Sequence, residues 1–149
     1  GNKLNKLKKI AVAFFGDGAT EEGVFHESLD FASLHKLPIL FVCENNYFSV
    51  YSHISKRQSK LRNICAIAKA VGIKSLKLNG NNVEKVFTKS SKIIRNIRKG
   101  QGPFLLELNT YRFVEHCGPN IDDHLNYRSK QVKITQKRPK SQPRQQSFA

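Results

Sequence analysis

Methionine is missing altogether from the 149 residues, and position 1 is glycine. A translation product starts with methionine, so the sequence reads as a processed chain or a piece of a longer one. Cysteine is scarce. Cys43, Cys65 and Cys117 are odd in number, far apart and form no CxxC pair, which argues against a disulfide framework or a zinc site and fits a reducing compartment. Long apolar runs are missing too. The longest, Ile10 to Phe15 and Ile39 to Cys43, fall far short of the ~20 residues of a membrane helix. No signal peptide is visible. The expectation is a soluble, cytoplasmic protein without a membrane partner.

Acidic residues are few, 11 against 26 basic, which leaves a net charge of +15. The excess is uneven. Lys3, Lys6, Lys8 and Lys9 crowd the start, and from Arg128 onward there are seven basic residues and no acidic one. The middle of the chain is only mildly basic. A basic end can bind nucleic acid or anionic membrane without specificity, or simply be a solvated tail. The tail carries a single aromatic, Phe148, and so no platform on which bases could stack. Basic residues on the predicted helices are scattered rather than striped, so a nucleic-acid partner is not expected.

What is present is a globular middle: 39% of the residues are hydrophobic and 25% charged, near the norm for one folded domain. Ile10 to Phe15 is apolar on both faces, the pattern of a strand buried from both sides in a parallel sheet. From Thr20 to Lys36 the period turns helical, with Phe25, Leu29 and Ala32 on one stripe and Val24, Phe31 and Leu34 widening it. Leu37-Pro38 stops that helix, and Ile39 to Cys43 is a second buried strand. Residues 47–60 read as a loop. Leu61 to Val71 reads as a helix ended by Gly72, and Ser75 to Leu78 as a short strand. Asn81 or Asn82 is placed to cap the helix Val83 to Lys99, whose stripe is Val83, Val86, Phe87, Ser90, Ile93, Ile94 and Ile97. Phe104 to Tyr111 is the last strand. The order β-α-β-loop-α-β-α-β predicts an α/β fold with an open, mostly parallel sheet flanked by helices. Residues 1–128 form the folded part. Residues 129–149, with almost nothing to bury, are expected to be disordered.

Two sites draw attention: Gly16-Asp17-Gly18 after the first strand and Asn45-Asn46 after the second. Parallel neighbours end on the same carboxyl edge, where open α/β sheets bind ligands. The residue types suit a metal-bound diphosphate. Asp17 offers a hard carboxylate oxygen and Asn46 an amide oxygen, as magnesium prefers. Glycines let the backbone come close, and the N–H groups of Ala19 and Thr20 would open the next helix, an anion site. Each motif alone is an ordinary turn sequence; the spaced pair, with 26 residues between Gly18 and Asn45, is the signal. No P-loop and no GxGxxG fingerprint occurs.

With these residues in place, the stretch GDGATEEGVFHESLDFASLHKLPILFVCENN resembles the thiamine-diphosphate motif of the alpha subunit of the E1 component of 2-oxo acid dehydrogenases, of the pyruvate, acetoin and branched-chain type. The segment Asn79 to Glu107 and Thr110-Tyr111-Arg112 followed by His116 fit the same pattern, so the resemblance covers about residues 3–128. It implies the thiamine-diphosphate-binding fold, present incompletely, and an oxidoreductase that decarboxylates a 2-oxo acid and passes the acyl unit to a lipoyl group. It implies thiamine diphosphate and Mg2+ as cofactors. Asp17 and Asn46 would ligate the metal by side chain and Phe48 by its backbone carbonyl, with Gly16, Gly18 and Ala19 along the diphosphate. His116 would stand near the cofactor's reactive end. The implied partners are an E1 beta subunit, which supplies the activating glutamate in a heterotetramer, and a lipoyl-bearing E2 component.

The chain departs from the pattern in several places. The family's alpha chain is much longer, and the match stops after Asn126-Tyr127-Arg128. Val114 and Glu115 replace a His-Gly before the matching histidine, and Cys117 replaces a serine that eukaryotic members phosphorylate. Cys117 is expected to pack as a free thiol. A chain lacking edge strands and covering helices is expected to be marginally stable or aggregation-prone and inactive by itself. The alternatives are an inactive remnant or pseudo-enzyme of the same fold and, further off, a small basic nucleic-acid-binding protein.

Overall fold

A computed structural model describes residues 8–128; the tail at 129–149 and most of the first basic run lie outside the described residues. The chain divides into two units, the first ending at Arg112 and the second beginning at Phe113. Among the described residues the first holds six strands and three α-helices: β1 (Ala11–Gly16), α1 (Gly23–Leu34), β2 (Ile39–Asn45), β3 (Phe48–Ser49), β4 (Ser52–His53), α2 (Ile64–Ala70), β5 (Lys74–Asn79), α3 (Val83–Asn96) and β6 (Phe104–Asn109). Four strands form one parallel sheet in the order β1-β2-β6-β5. Strands β3 and β4 make a separate antiparallel pair.

Apolar residues of the sheet divide between two faces. Phe25, Leu29 and Ala32 of α1 and Ile64 and Ala68 of α2 share one core with Phe41, Cys43, Ile73 and Leu105. On the opposite side, Ile93 and Ile97 share a core with Leu40, Val42, Leu106 and Leu108. The step from β1 to β2 runs over one face, and the return from β5 to β6 runs over the other. Parallel crossovers are right-handed, so reversing direction along the sheet switches the helix to the other side. The expected α/β fold, an open parallel sheet flanked by helices, is the one observed.

Several local expectations are corrected. β1 is not buried on both sides: it is an edge strand, and Phe14 is 68% exposed with Val12 also open. In α1 and α3 the apolar stripes are wider than the strip of sheet they cover, so Val24, Phe31, Leu34, Val83 and Phe87 stay exposed. The helix expected from Thr20 begins at Gly23, because Asp17–Glu21 coils as a 3-10 turn first. The helix expected from Leu61 begins at Ile64, where the Asn63 side chain accepts from the Ala66 N–H at 2.9 Å and satisfies one of the free donors of the first turn. The loop at 47–60 contains the β3–β4 hairpin and a short 3-10 turn, Ile54–Lys56. Asn82, not Asn81, caps α3, accepting from the Lys85 N–H at 2.9 Å. No helix among the described residues is long and apolar enough to cross a membrane.

Among the described residues the second unit is mostly irregular. Glu115 and Asn120 close a turn through a backbone bond of 2.9 Å and a side-chain bond of 2.8 Å. A short 3-10 helix, Asp123–Leu125, follows. The buried Asp122 carboxylate accepts from Tyr127 Oη and pairs with the buried Arg128, which places a salt bridge at the last of the described residues.

Candidate functional site

The carboxyl ends of β1 and β2 lie side by side, with Gly16 in register with Glu44. The loops at Asp17 and Asn46 therefore leave the same edge of the sheet, as the spacing required. Asp17 opens the 3-10 turn and is 1% exposed. Thr20 Oγ1 donates to the Asp17 carbonyl at 2.7 Å, so the turn is braced by its own hydroxyl. This turn also takes Ala19 and Thr20 out of the long helix. Their N–H groups sit on a five-residue coil, so the expected anion site at the mouth of α1 is not formed by them.

The two asparagines after β2 divide their work. Asn45 is buried and donates from Nδ2 to Glu107 Oε1 at 2.9 Å, while its Oδ1 accepts from the Tyr47 N–H at 3.0 Å. Its side chain is spent on the fold. Asn46 Oδ1 accepts from the Phe48 N–H at 2.8 Å. An amide oxygen has two lone pairs, so that oxygen retains a site for a cation. Tyr47 is held at a positive φ of 67°, uncommon for an aromatic residue, by its bond to Asn45 and by the Ile54 N–H on its carbonyl at 2.7 Å. The Phe48 ring meets the His53 ring edge-on at 5.0 Å.

The glycines also differ. A Cβ on Gly18 would stand 3.1 Å from Ser49 Oγ, whereas one on Gly16 would meet nothing within 4 Å. Close approach is thus a demand of Gly18, and the space at Gly16 is open.

Three side chains from the segment after the hairpin converge on the Asp17–Glu21 turn, and none was singled out from the sequence. Arg57 Nη2 pairs with Asp17 Oδ2 at 2.5 Å, its Nη1 pairs with Glu21, and its Nε donates to the Ser52 carbonyl at 3.1 Å. Gln58 Nε2 donates to Glu21 Oε1 at 2.7 Å, and Arg62 donates to the Thr20 carbonyl. Nothing in the local pattern of 54–62 marks these residues; only the tertiary contact does. A cavity of about 280 Å3 is lined by Asn45, Tyr47, Gln58, Arg62, Lys77 and Glu107, among others.

Glu107 is the second buried carboxylate of this region, 1% exposed. It accepts from Lys77 Nζ at 2.8 Å, from Asn45 and from Cys65 Sγ at 3.4 Å. A charged residue inside the apolar strand Phe104–Asn109 was its signal, and Lys77 is its register partner on β5. Burial pushes the Lys77 ammonium down, but the hydrogen bond and charge of Glu107 outweigh it and leave its pKa raised. Burial, reinforced by the Glu107 charge, drives the Cys43 thiol far up. Burial also raises Cys65. Neither cysteine is primed as a nucleophile. Cys117 is exposed rather than packed, which corrects the expectation. His116 is exposed on the second unit.

Among the described residues no group of three or more His, Cys, Asp or Glu is placed to hold a metal ion. The candidate set is instead one carboxylate, one amide and one backbone carbonyl, all hard oxygens, which magnesium accepts while completing its octahedron with water or phosphate. The Asp17 carboxylate is already answered by a cation, the Arg57 guanidinium. The donor chemistry fits a divalent ion, and the salt bridge shows that Asp17 is placed to take a cationic partner.

Comparison with known proteins agrees with the fold and with the family the sequence resembles. The sequence model of the dehydrogenase E1 component family matches residues 1–147. The 2-oxoisovalerate dehydrogenase subunit alpha of Bacillus subtilis is 35% identical over 129 residues, 87% of this chain and 38% of the relative. The pyruvate dehydrogenase E1 component subunit alpha of Porphyra purpurea is 38% identical over 125 residues, 84% of this chain and 35% of the relative. The chain thus spans little more than a third of the length of these curated relatives. Transketolase from Campylobacter jejuni superposes with a TM-score of 0.57 at 23% identity, over 70% of this chain and 16% of that one. A transketolase from Pichia stipitis gives 0.57 at 20% identity, over 68% and 15%.

Proposed function

The chain belongs to the dehydrogenase E1 component family, and on that premise we propose that it holds the diphosphate end of thiamine diphosphate through Mg2+. The enzyme it serves oxidatively decarboxylates a 2-oxo acid and hands the acyl unit to a lipoyl group. The observation that supports this most is the buried Asp17 carboxylate, at the edge shared by β1 and β2, with a cation already on it.

When bound, the cofactor supplies the electron sink for decarboxylation. This chain's residues bind and orient. Asp17 and Asn46 give side-chain oxygens to the metal, and Phe48 gives its carbonyl. Gly16, Gly18 and Ala19 line the diphosphate, Ala19 from the 3-10 turn and not from the mouth of α1. His116, on the second unit, is assigned to the reactive end. The beta subunit, the lipoyl-bearing E2 component and a cytoplasmic location complete the proposal. The two relatives act, by their names, on 2-oxoisovalerate and on pyruvate at similar identity, so the proposal stops at the class of 2-oxo acids.

The test is calorimetric titration of the chain with thiamine diphosphate. Binding is expected with Mg2+, absent with EDTA and lost in Asp17→Ala. Binding that ignores the metal, or survives Asp17→Ala, refutes the reading.

A further inference from the structure

The Arg57 guanidinium stands where the proposed metal has to act. The Arg57 side chain is 13% exposed, and its guanidinium bridges Asp17 and Glu21 and is steadied from the third nitrogen by the Ser52 carbonyl. Two carboxylates share one permanent cation. Guanidinium does not lose its proton at any pH a protein survives, so this charge cannot be neutralised in place. It leaves Asp17 only if another cation takes over. A divalent ion ligated by Asp17 would come to about 2 Å from a carboxylate oxygen, while Nη2 stands at 2.5 Å from Oδ2. Both on one carboxylate would place three positive charges within a few ångströms of each other in a poorly solvated turn, where such repulsion is only weakly screened.

We propose that Arg57 is the resident counter-ion of this site, holding the Asp17 carboxylate in the metal-free chain and competing directly with a hard divalent cation for it. Metal uptake is then an exchange. The guanidinium gives up Asp17 and keeps Glu21 and Ser52, so the segment stays attached to the turn. Gln58 on Glu21 and Arg62 on Thr20 hold it there as well. The exchange keeps a buried carboxylate from standing uncompensated before the metal arrives. It also makes the metal bind less tightly alone than the oxygen donors would allow.

This inference rests on the metal role proposed for Asp17, and the experiment separates the two. Mn2+ is titrated alone into the full chain, and free Mn2+ is counted by electron paramagnetic resonance. Arg57→Gln, which removes the charge and keeps a polar side chain, is expected to tighten Mn2+ binding about tenfold. Arg57→Lys, which keeps the charge, is expected to stay within about threefold of the parent. Asp17→Asn removes binding in every background. Uptake that needs Asp17 but is unchanged or weakened in Arg57→Gln overturns the counter-ion and leaves the metal site standing. No Asp17-dependent uptake in any variant overturns both. A readout on the unaltered chain guards against misfolding of the variants. In nitrogen-15-edited spectra the Arg57 Nη2 protons, which face Asp17, should exchange slowly without metal and lose that protection as Mg2+ is added, while the Nη1 protons on Glu21 keep theirs. Nη2 protection that persists at saturating Mg2+ overturns the exchange.

Discussion

Asp17 and Glu107 are each 1% exposed, and each is paired with a cation, yet they are built differently. Glu107 lies within a strand. Its partners Asn45, Lys77 and Cys65 come from β2, β5 and α2, elements tied down by ladders and helix bonds. Asp17 lies on a 3-10 turn at the edge of the sheet, and its cation comes from the irregular segment after a two-residue hairpin. A carboxylate answered by regular elements is locked. One answered by a long side chain on an irregular segment can change partners. The two carboxylates differ in how regular their supporting elements are, which is the difference the proposed exchange at Asp17 requires.

The largest effect should come from Asp17→Ala. Mn2+ affinity is expected to fall about 100-fold or more, about 2.7 kcal/mol, while urea denaturation shows a loss of only about 1 kcal/mol because Arg57 retains Glu21. Glu107→Ala should show the reverse. Asn45, Lys77 and Cys65 lose their shared acceptor, and stability by urea denaturation should drop about 2–3 kcal/mol, with Mn2+ affinity within about threefold of the parent. If Glu107→Ala abolishes metal uptake while leaving stability alone, the distinction between the two carboxylates is wrong.

Lys77→Met tests the same lock from its exposed side. The Lys77 side chain is 47% exposed, so its removal should cost about 1 kcal/mol or less in chemical denaturation, since solvent screens the pair. The smallest effect is one of pH. Glu107 raises the Lys77 pKa above its ordinary 10.5, so the folded chain holds that proton more tightly than the unfolded one. The resulting stability is fully present below 10.5 and is lost as pH rises through the folded value. The thermal midpoint of the parent should therefore fall more steeply above pH 10.5 than that of Lys77→Met, and parallel curves would remove Lys77 from the lock.

The order of elements was legible in the residues because apolar period and turn chemistry are local signals. Leu37-Pro38 ended a helix, Asn82 capped one, and Phe25, Leu29 and Ala32 face the core as their spacing required. The candidate site was legible as a spaced pair of turns, Gly16-Asp17-Gly18 and Asn45-Asn46. The exposure of β1 was not, because an edge position depends on which strands pair beside it. Neither was the exposure of Phe31 and Phe87, since a helix shows its apolar stripe in sequence but not how much of it a neighbour covers. The division between Asn45 and Asn46 was hidden for a similar reason. Two identical residues in a row differ only in which one meets Glu107, 62 positions away in the chain.

The sequence by itself determined the kind of fold, the parallel edge on which two turns meet, and the hard oxygen donors those turns carry. Each follows from interactions between residues close in the chain or from the two-face and 3.6-residue periods of strand and helix. The tertiary structure alone decided which partners answer each buried carboxylate, because those cations stand 40 positions from Asp17 and 30 from Glu107. Coulombic pairing between buried groups depends on distance in space and on local dielectric, and neither is written in the order of residues.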